Sequence, residues 1–354
     1  MRKWRFEVLF SLILVLFTAY ALLDTFVIPR QYGTVQSIPD TSAQELREVQ
    51  PSTQVQPSTE VQPDSGDTVR RRKRGKPSGR STGGTSSQVT DTQAADTGNT
   101  PQVANPDSTA QVTNDNRTWS NENISVTLTQ YREYDTDVYV ADVTLSAPEY
   151  LKTALAGDAY GRNIKDKTSA IAAANGAILA INGDYYGARE RGYVIRNGVL
   201  YRDTPAGGDV LAIMNDGSFQ IVDDRTVTAQ ELLDAGALQV LSFGPALLKN
   251  GVVSVSEGQE VGRAMASNPR TAVAVLGDLH YAFIVADGRT DRSEGMSLYE
   301  LAEFIRGLGA ESAYNLDGGG SSTMVFQGEI VNRPTTSGNS LKERSVSDIV
   351  CISP

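Results

Sequence analysis

Ser312-Ala313-Tyr314-Asn315-Leu316-Asp317-Gly318-Gly319-Gly320-Ser321-Ser322 reads as a short apolar strand that ends on a carboxylate and runs into three glycines. Glycine loses more backbone freedom on ordering than any other residue, so three in a row suit a place where backbone must come close to something. Successive N–H groups in such a loop can form a concave anion site, and Ser321 and Ser322 add hydroxyl donors. The plain alternative is a glycine-rich turn in which Asp317 caps its own loop. Upstream, Ser297-Leu298-Tyr299-Glu300 has the spacing of a capping box and predicts a helix over 298–306. Downstream, strands at 323–326 and 329–331 flank Gln327-Gly328.

Working outward, two further segments repeat the same form. Ala180-Ile181-Asn182-Gly183-Asp184-Tyr185-Tyr186 is an apolar strand, a polar tip, a glycine and then aromatics that could stack on a sugar ring. Val285-Ala286-Asp287-Gly288-Arg289 is a strand ending in a carboxylate and a glycine, and its hairpin partner begins at Arg270. The plain readings are a strand-to-loop transition and a structural Arg–Asp pair. Arg344, just before the last strand, reads either as an anion ligand or as surface charge.

Strands dominate the rest of 121–354. Ile124–Tyr131 and Asp137–Leu145 alternate apolar and polar residues with period two. Asn197-Gly198 marks a hairpin, Asn215-Asp216-Gly217 a second turn, and Gly277-Asp278 a third. Helices are expected at 168–175 and 228–235, each followed by glycine. The class is α+β: a large mixed, mostly antiparallel sheet with a few packed helices.

Of the 354 residues, one is cysteine (Cys351) and one histidine (His280). An intrachain disulfide, a thiolate zinc site and a His-rich metal site are therefore excluded, and catalysis must rest mainly on carboxylates, arginine, hydroxyls or backbone amides. A Ca²⁺ held by Asp and backbone oxygens needs no fixed spacing, so the sequence leaves room for one; no other cofactor is expected. The formal net charge of −10 argues against nucleic acid as a partner.

Residues 1–30 carry the run Val8–Leu23, long enough with its flanks to span a bilayer, behind Arg2, Lys3 and Arg5. Positive charge on that side keeps the N-terminus cytoplasmic and exports the rest. Ala19-Tyr20-Ala21 would suit signal cleavage, but apolar character continues past it, favouring a transmembrane anchor. Residues 31–120, rich in Ser, Thr, Gln and Pro, cannot bury enough apolar surface to fold. They read as a disordered stalk that holds the domain away from the membrane.

AINGDYY at 180–186, SFGPALLKNG at 242–251, NPRTAVAV at 268–275, VADGR at 285–289, GMSLYELAEFIRGLGAESAYNLDGGGSSTMV at 295–325, IVNRP at 330–334 and ERSVSD at 343–348 together resemble the phosphodiester glycosidase family. That resemblance implies hydrolysis of a sugar 1-phosphodiester at the anomeric C–O bond; the expected exported location makes cell-surface or exopolysaccharide glycans the expected substrates. On it, Asp317 and Asp287 form the carboxylate pair usual in glycosidases. Arg270 and the Gly318–Gly320 amides hold the phosphate, and Asn182 and Asn315 bind sugar hydroxyls, with Gly183, Asp184, Tyr185, Ser321, Ser322 and Arg344 completing the substrate site. Two other readings use the same residues: a non-catalytic wall-glycan binding module, and a metal-dependent phosphodiesterase cutting P–O.

Overall fold

Apolar alternation sets the layers. In a computed structural model describing residues 2–33, 36–37, 111–261, 267–337 and 340–354, the strands fall into three main sheets rather than one, with every strand pairing in them antiparallel. The eight-stranded sheet has Ser312–Asn315, Arg270–Gly277 and His280–Ala286 side by side near its middle. The five-stranded sheet centres on Leu179–Asn182, between Met324–Phe326 and Asp348–Ile352. The six-stranded sheet holds Val194–Arg196, Val199–Arg202, Asp209–Met214 and Ala237–Leu241.

One face of each sheet meets a common core, to which Val273, Phe283 and Tyr314, Ile181 and Val350, and Leu211 and Leu241 all contribute. The residues between them point the other way and are covered by helices. Ala272, Ala274 and Ile284 pack under Leu298–Gly307, whose Leu298, Leu301, Ala302 and Ile305 recur at helical spacing. Ala180, Ile349 and Cys351 pack under Thr168–Ala174, and Ala212 and Val240 under Ala229–Asp234. Both capping boxes are formed: Ser297 with Glu300, and Thr228 with Glu231.

Most of the stretch read as a disordered stalk lies outside the described residues. Its final part does not: Gln111–Ser120 pairs with Ile124–Glu133 as the edge of the eight-stranded sheet, which therefore starts ahead of residue 121. At the N-terminus, Arg2–Phe26 is helical, and its window Val8–Thr25 is long and apolar enough to cross a membrane and is unburied by the protein.

A buried ion pair joins two of the sheets. Arg196 Nε donates to Asp348 Oδ2 at 2.8 Å, and its Nη1 donates to the Ile195 carbonyl (2.9 Å) and the Val240 carbonyl. Nη2 lies 2.7 Å from the same Asp348 oxygen but makes no directed hydrogen bond, so that contact is electrostatic. Burial pushes the Asp348 carboxyl up to about 6, and the Arg196 guanidinium works against that rise. Removing one partner of such a pair strands a charge in the interior. Asp348→Asn should cost about 3–5 kcal/mol in urea unfolding, and adding Arg196→Met should cost less than the sum of the single changes.

Candidate active site

The sheets' strand ends converge on Asn182. Its side chain is fully buried: Nδ2 donates to the Asp317 carbonyl at 2.6 Å, and Oδ1 accepts from Thr271 Oγ1 at 2.9 Å and from Thr323 N at 3.2 Å. Asp317 N then donates to the Gly183 carbonyl at 3.2 Å. One amide thus fixes the tips of Leu179–Asn182, Ser312–Asn315 and Arg270–Gly277 against each other. Asn182 is fully buried and does not line the adjoining cleft, where the sequence expectation had it bind a sugar hydroxyl. Asn315 is likewise turned inward, donating to the Gly244 carbonyl at 2.8 Å.

Beside this knot opens a cleft of about 410 Å³. Asp317 and Asp184 lie in its buried wall, while Lys165, Lys167 and Lys342 are exposed and Arg344 half-buried. Tyr185, 43% exposed, stands on the same wall.

Asp317 is held from one side. Its Oδ2 accepts from Ser321 Oγ at 2.5 Å and from Arg344 Nη2 at 3.3 Å, and Ser321 Oγ in turn accepts from Arg344 Nε at 3.0 Å and Nη2 at 2.6 Å. Asp317 Oδ1 takes no hydrogen bond among the described residues and is left to the cleft. Burial raises the Asp317 carboxyl above its ordinary range; Arg344 and the Ser321 hydroxyl pull it back, and nearby Asp184 pushes it further up. Arg344, open to either reading from sequence, is thus tied to the carboxylate.

Asp184 is more enclosed. Its oxygens accept from Tyr185 N (2.6 Å) and Ser242 N (2.7 Å), its own N–H donates to Asp348 Oδ1 at 2.8 Å, and Arg196 Nη2 is 3.8 Å away. Gly183 lets this happen, since a Cβ there would sit 2.7 Å from Asp348 Oδ1. Arg196 and Asp348 thus support the cleft from beneath. Sequence offers little signal for Arg196, which lies in an ordinary hairpin strand.

Asp287 does not line the cleft. It is 1% exposed, and Oδ1 accepts from Asn332 Nδ2 (3.1 Å) and Arg333 N (2.9 Å), while Oδ2 is buried without a partner. Burial pushes its carboxyl up to about 6. The expected pairing of Asp317 with Asp287 across one cleft is therefore not what the fold builds. Arg270, expected to hold phosphate, is 4% exposed and bonded to the Met296 carbonyl (2.7 Å) and Glu260 (2.6 Å).

The glycine loop also differs from expectation. Of the Gly318–Gly320 amides expected to hold phosphate, that of Gly319 donates to the Pro269 carbonyl, while the amides of Ser321 and Ser322 close the turn on the carbonyls of Gly318 and Gly319. The glycines also allow close packing: Gly318 lies against Pro269, and Gly320 against Thr336. Ser322 is fully buried and its hydroxyl unpartnered. Arg289 reaches over Gly319 and donates to Asn268 Oδ1 at 2.8 Å; burial and then the guanidinium groups of Arg344 and Arg270 push it down, marking a local concentration of positive charge. Among the described residues no group of three or more His, Cys, Asp or Glu could hold a metal ion.

This site lies inside a segment with known relatives. A family model described as phosphodiester glycosidase matches residues 175–353, just over half of the 354-residue chain. The mouse N-acetylglucosamine-1-phosphodiester α-N-acetylglucosaminidase is 31% identical over 161 residues, 39% of this chain and 31% of the mouse protein. The SPbeta prophage-derived uncharacterized protein YomE of Bacillus subtilis is 29% identical over 202 residues, 55% of this chain and 30% of that protein. The chain thus spans about a third of the length of these curated relatives. Among solved structures, the zebrafish N-acetylglucosamine-1-phosphodiester α-N-acetylglucosaminidase catalytic domain, auto-inhibited by its pro-peptide, shares the fold with a TM-score of 0.54 at 20% identity, covering 69% of this chain and 87% of that one. The chain belongs to the phosphodiester glycosidase family.

Proposed function

We propose that the domain hydrolyses the anomeric C–O bond of a sugar 1-phosphodiester, outside the cytoplasm, on a glycan at the cell surface. Family membership supports a hydrolase of sugar phosphodiesters. The observation that carries the finer reading is Asp317, with one oxygen clamped and the other open in the wall of a cleft whose rim carries Lys165, Lys167, Lys342 and Arg344. The apolar helix Arg2–Phe26 serves as a single-pass anchor in this reading.

A phosphate monoester leaves readily, its second pKa being about 6, so the reaction needs little help from a general acid. The rim cations neutralise the charge that grows on the departing phosphate. Asp317 stabilises the positive charge developing on the sugar and takes a proton from the attacking water as its oxygen bonds to the anomeric carbon. The leaving oxygen departs with the C–O electron pair, giving a free sugar and a phosphate monoester. Ser321 and Arg344 position Asp317, and Tyr185 offers its ring face to the sugar. Positive charge comes from side chains, so the reaction should proceed in EDTA.

Asp317→Asn should lower kcat by roughly 10²–10⁴-fold, and Arg344→Ala by about 10²-fold or more with a raised KM. Hydrolysis in ¹⁸O-water should put the label in the sugar; label in the phosphate would mean P–O cleavage and sink the reading.

Asp287→Asn should leave turnover near wild type and change stability instead. The folded carboxyl holds its proton up to about pH 6, whereas an unfolded one releases it near 3.9. The native state therefore binds more protons between those values. The contribution to stability is present below about pH 4 and is lost as pH rises through about 6. Urea titrations should show wild type losing about 1–3 kcal/mol relative to Asp287→Asn between pH 4 and 7. Parallel pH profiles would refute this placement of the titration.

A further inference from the structure

The chain just after the apolar helix does not leave the domain; it joins it. Arg30–Gln31 pairs antiparallel with Gly161–Arg162, and Tyr32 N donates to the Tyr160 carbonyl at 2.9 Å. Gln36–Ser37 then adds an edge strand to the six-stranded sheet beside Val199 and Leu200. The fit at the first pairing is close. A Cβ on Gly161 would fall 1.7 Å from the Arg30 carbonyl oxygen, so only glycine admits the strand in this position. The Tyr32 ring packs on Tyr160 at 5.9 Å between centroids.

The same contact ties the helix end to the cleft. Asn163 lines the cleft, and its Nδ2 donates to the carbonyls of Thr25 (3.2 Å) and Ile28 (3.1 Å). Thr25 is the last residue of the stretch that can cross a membrane. If that stretch spans a bilayer, one cleft wall stands a hydrogen bond away from the point where the chain leaves the hydrocarbon. Val27, Ile28 and Tyr32 are exposed there, as suits an interfacial segment. Lys165 and Lys167, exposed and lining the same cleft as Asn163, would face lipid headgroups.

We infer that the cleft works at the membrane surface on a sugar 1-phosphate esterified to a membrane-resident alcohol, held there by the Arg30–Tyr32 strand. This rests on the proposed C–O hydrolysis and names its substrate class. Such a substrate is itself an anomeric phosphodiester: its sugar and phosphate stand in water while its aglycone stays in the bilayer. A domain free to range on a long connector would meet it rarely, whereas a docked one is held at high effective concentration. The docked strand therefore revises the idea of a stalk that keeps the domain away from the membrane.

The test uses the full chain in vesicles of phosphatidylcholine and phosphatidylglycerol. The two probes are α-N-acetylglucosamine 1-phosphate esterified to hexadecanol, placed in the same vesicles, and the same sugar phosphate esterified to methanol. The wild type should favour the hexadecyl ester in kcat/KM by roughly tenfold or more. Tyr32→Pro, which deletes the N–H to Tyr160, and Gly161→Val, which blocks the strand, should abolish that preference and leave the methyl ester rate unchanged. Separately, Arg30→Cys with Arg162→Cys should crosslink on oxidation in the membrane; the one native thiol, Cys351, is buried and will not compete. Equal rates on both esters, or no crosslink, would overturn the inference while leaving the glycosidase reading intact. Failure to cleave either ester would bring down both.

Discussion

Asn182 is the constraint on which the cleft depends. A buried amide side chain is costly unless its polar atoms find partners, and here Nδ2 and Oδ1 find them at three different strand ends: the Asp317 carbonyl, the Thr271 hydroxyl and the Thr323 amide. Because those partners come from residues far apart in the chain, the network forms only when the eight- and five-stranded sheets have closed on their shared core. Hydrophobic packing brings the sheets together but is non-directional; the amide selects the register of their ends. Asp348 repeats the device one layer below, accepting the Asp184 N–H on one oxygen and Arg196 on the other. Polar networks of this kind are favourable only when fully satisfied, which makes them specifiers of geometry more than sources of stability.

Burial raises three carboxyls in this region, Asp287, Asp317 and Asp348. A perturbed pKa by itself would nominate all three for chemistry. Access separates them. Asp348 is enclosed by Arg196 and the Asp184 amide, and Asp287 by Asn332 and Arg333. Only Asp317 combines a clamped oxygen with one left to the cleft. The raised values thus report how dry the strand ends are, and the group proposed to react is the one that the dry region lets out.

That distinction also marks what the chain reveals before folding. Alternation in Ile124–Tyr131 and Asp137–Leu145, with the hairpin turns and the Ser297–Glu300 box, is local chemistry and shows directly in the residues. The Asp317 loop and the Gly183-Asp184-Tyr185 tip are legible for the same reason: a carboxylate beside glycine at a strand end is an uncommon expense of backbone entropy. Whether an Asn or Asp at such a tip turns inward or outward is not local. Asn182, Asn315 and Asp287 share the sequence signature of Asp184 and Asp317, yet their direction is set by the sheet that arrives opposite. Arg196 is hidden for the converse reason, since its partner Asp348 is far along the chain. The Arg30–Gln31 pairing is too short to carry any periodicity.

Charge is sorted by depth. The chain carries a net −10, yet exposed Lys165, Lys167 and Lys342 gather at one rim with half-buried Arg344, while Asp184 and Asp317 lie in the buried wall. An acidic surface around a small cationic mouth disfavours polyanions in general and focuses a single phosphate on that mouth. In the proposed reaction the sugar, which becomes positive in the transition state, is directed inward to carboxylates where low dielectric strengthens their pull. For the proposed substrate, electrostatics sets the orientation: sugar inward, phosphate at the rim, aglycone outward. The outward side includes Asn163 and the end of the apolar helix, so in the proposed reaction the same polarity that orders the reacting bond leaves the phosphate monoester, its alcohol still attached, on the side of that helix.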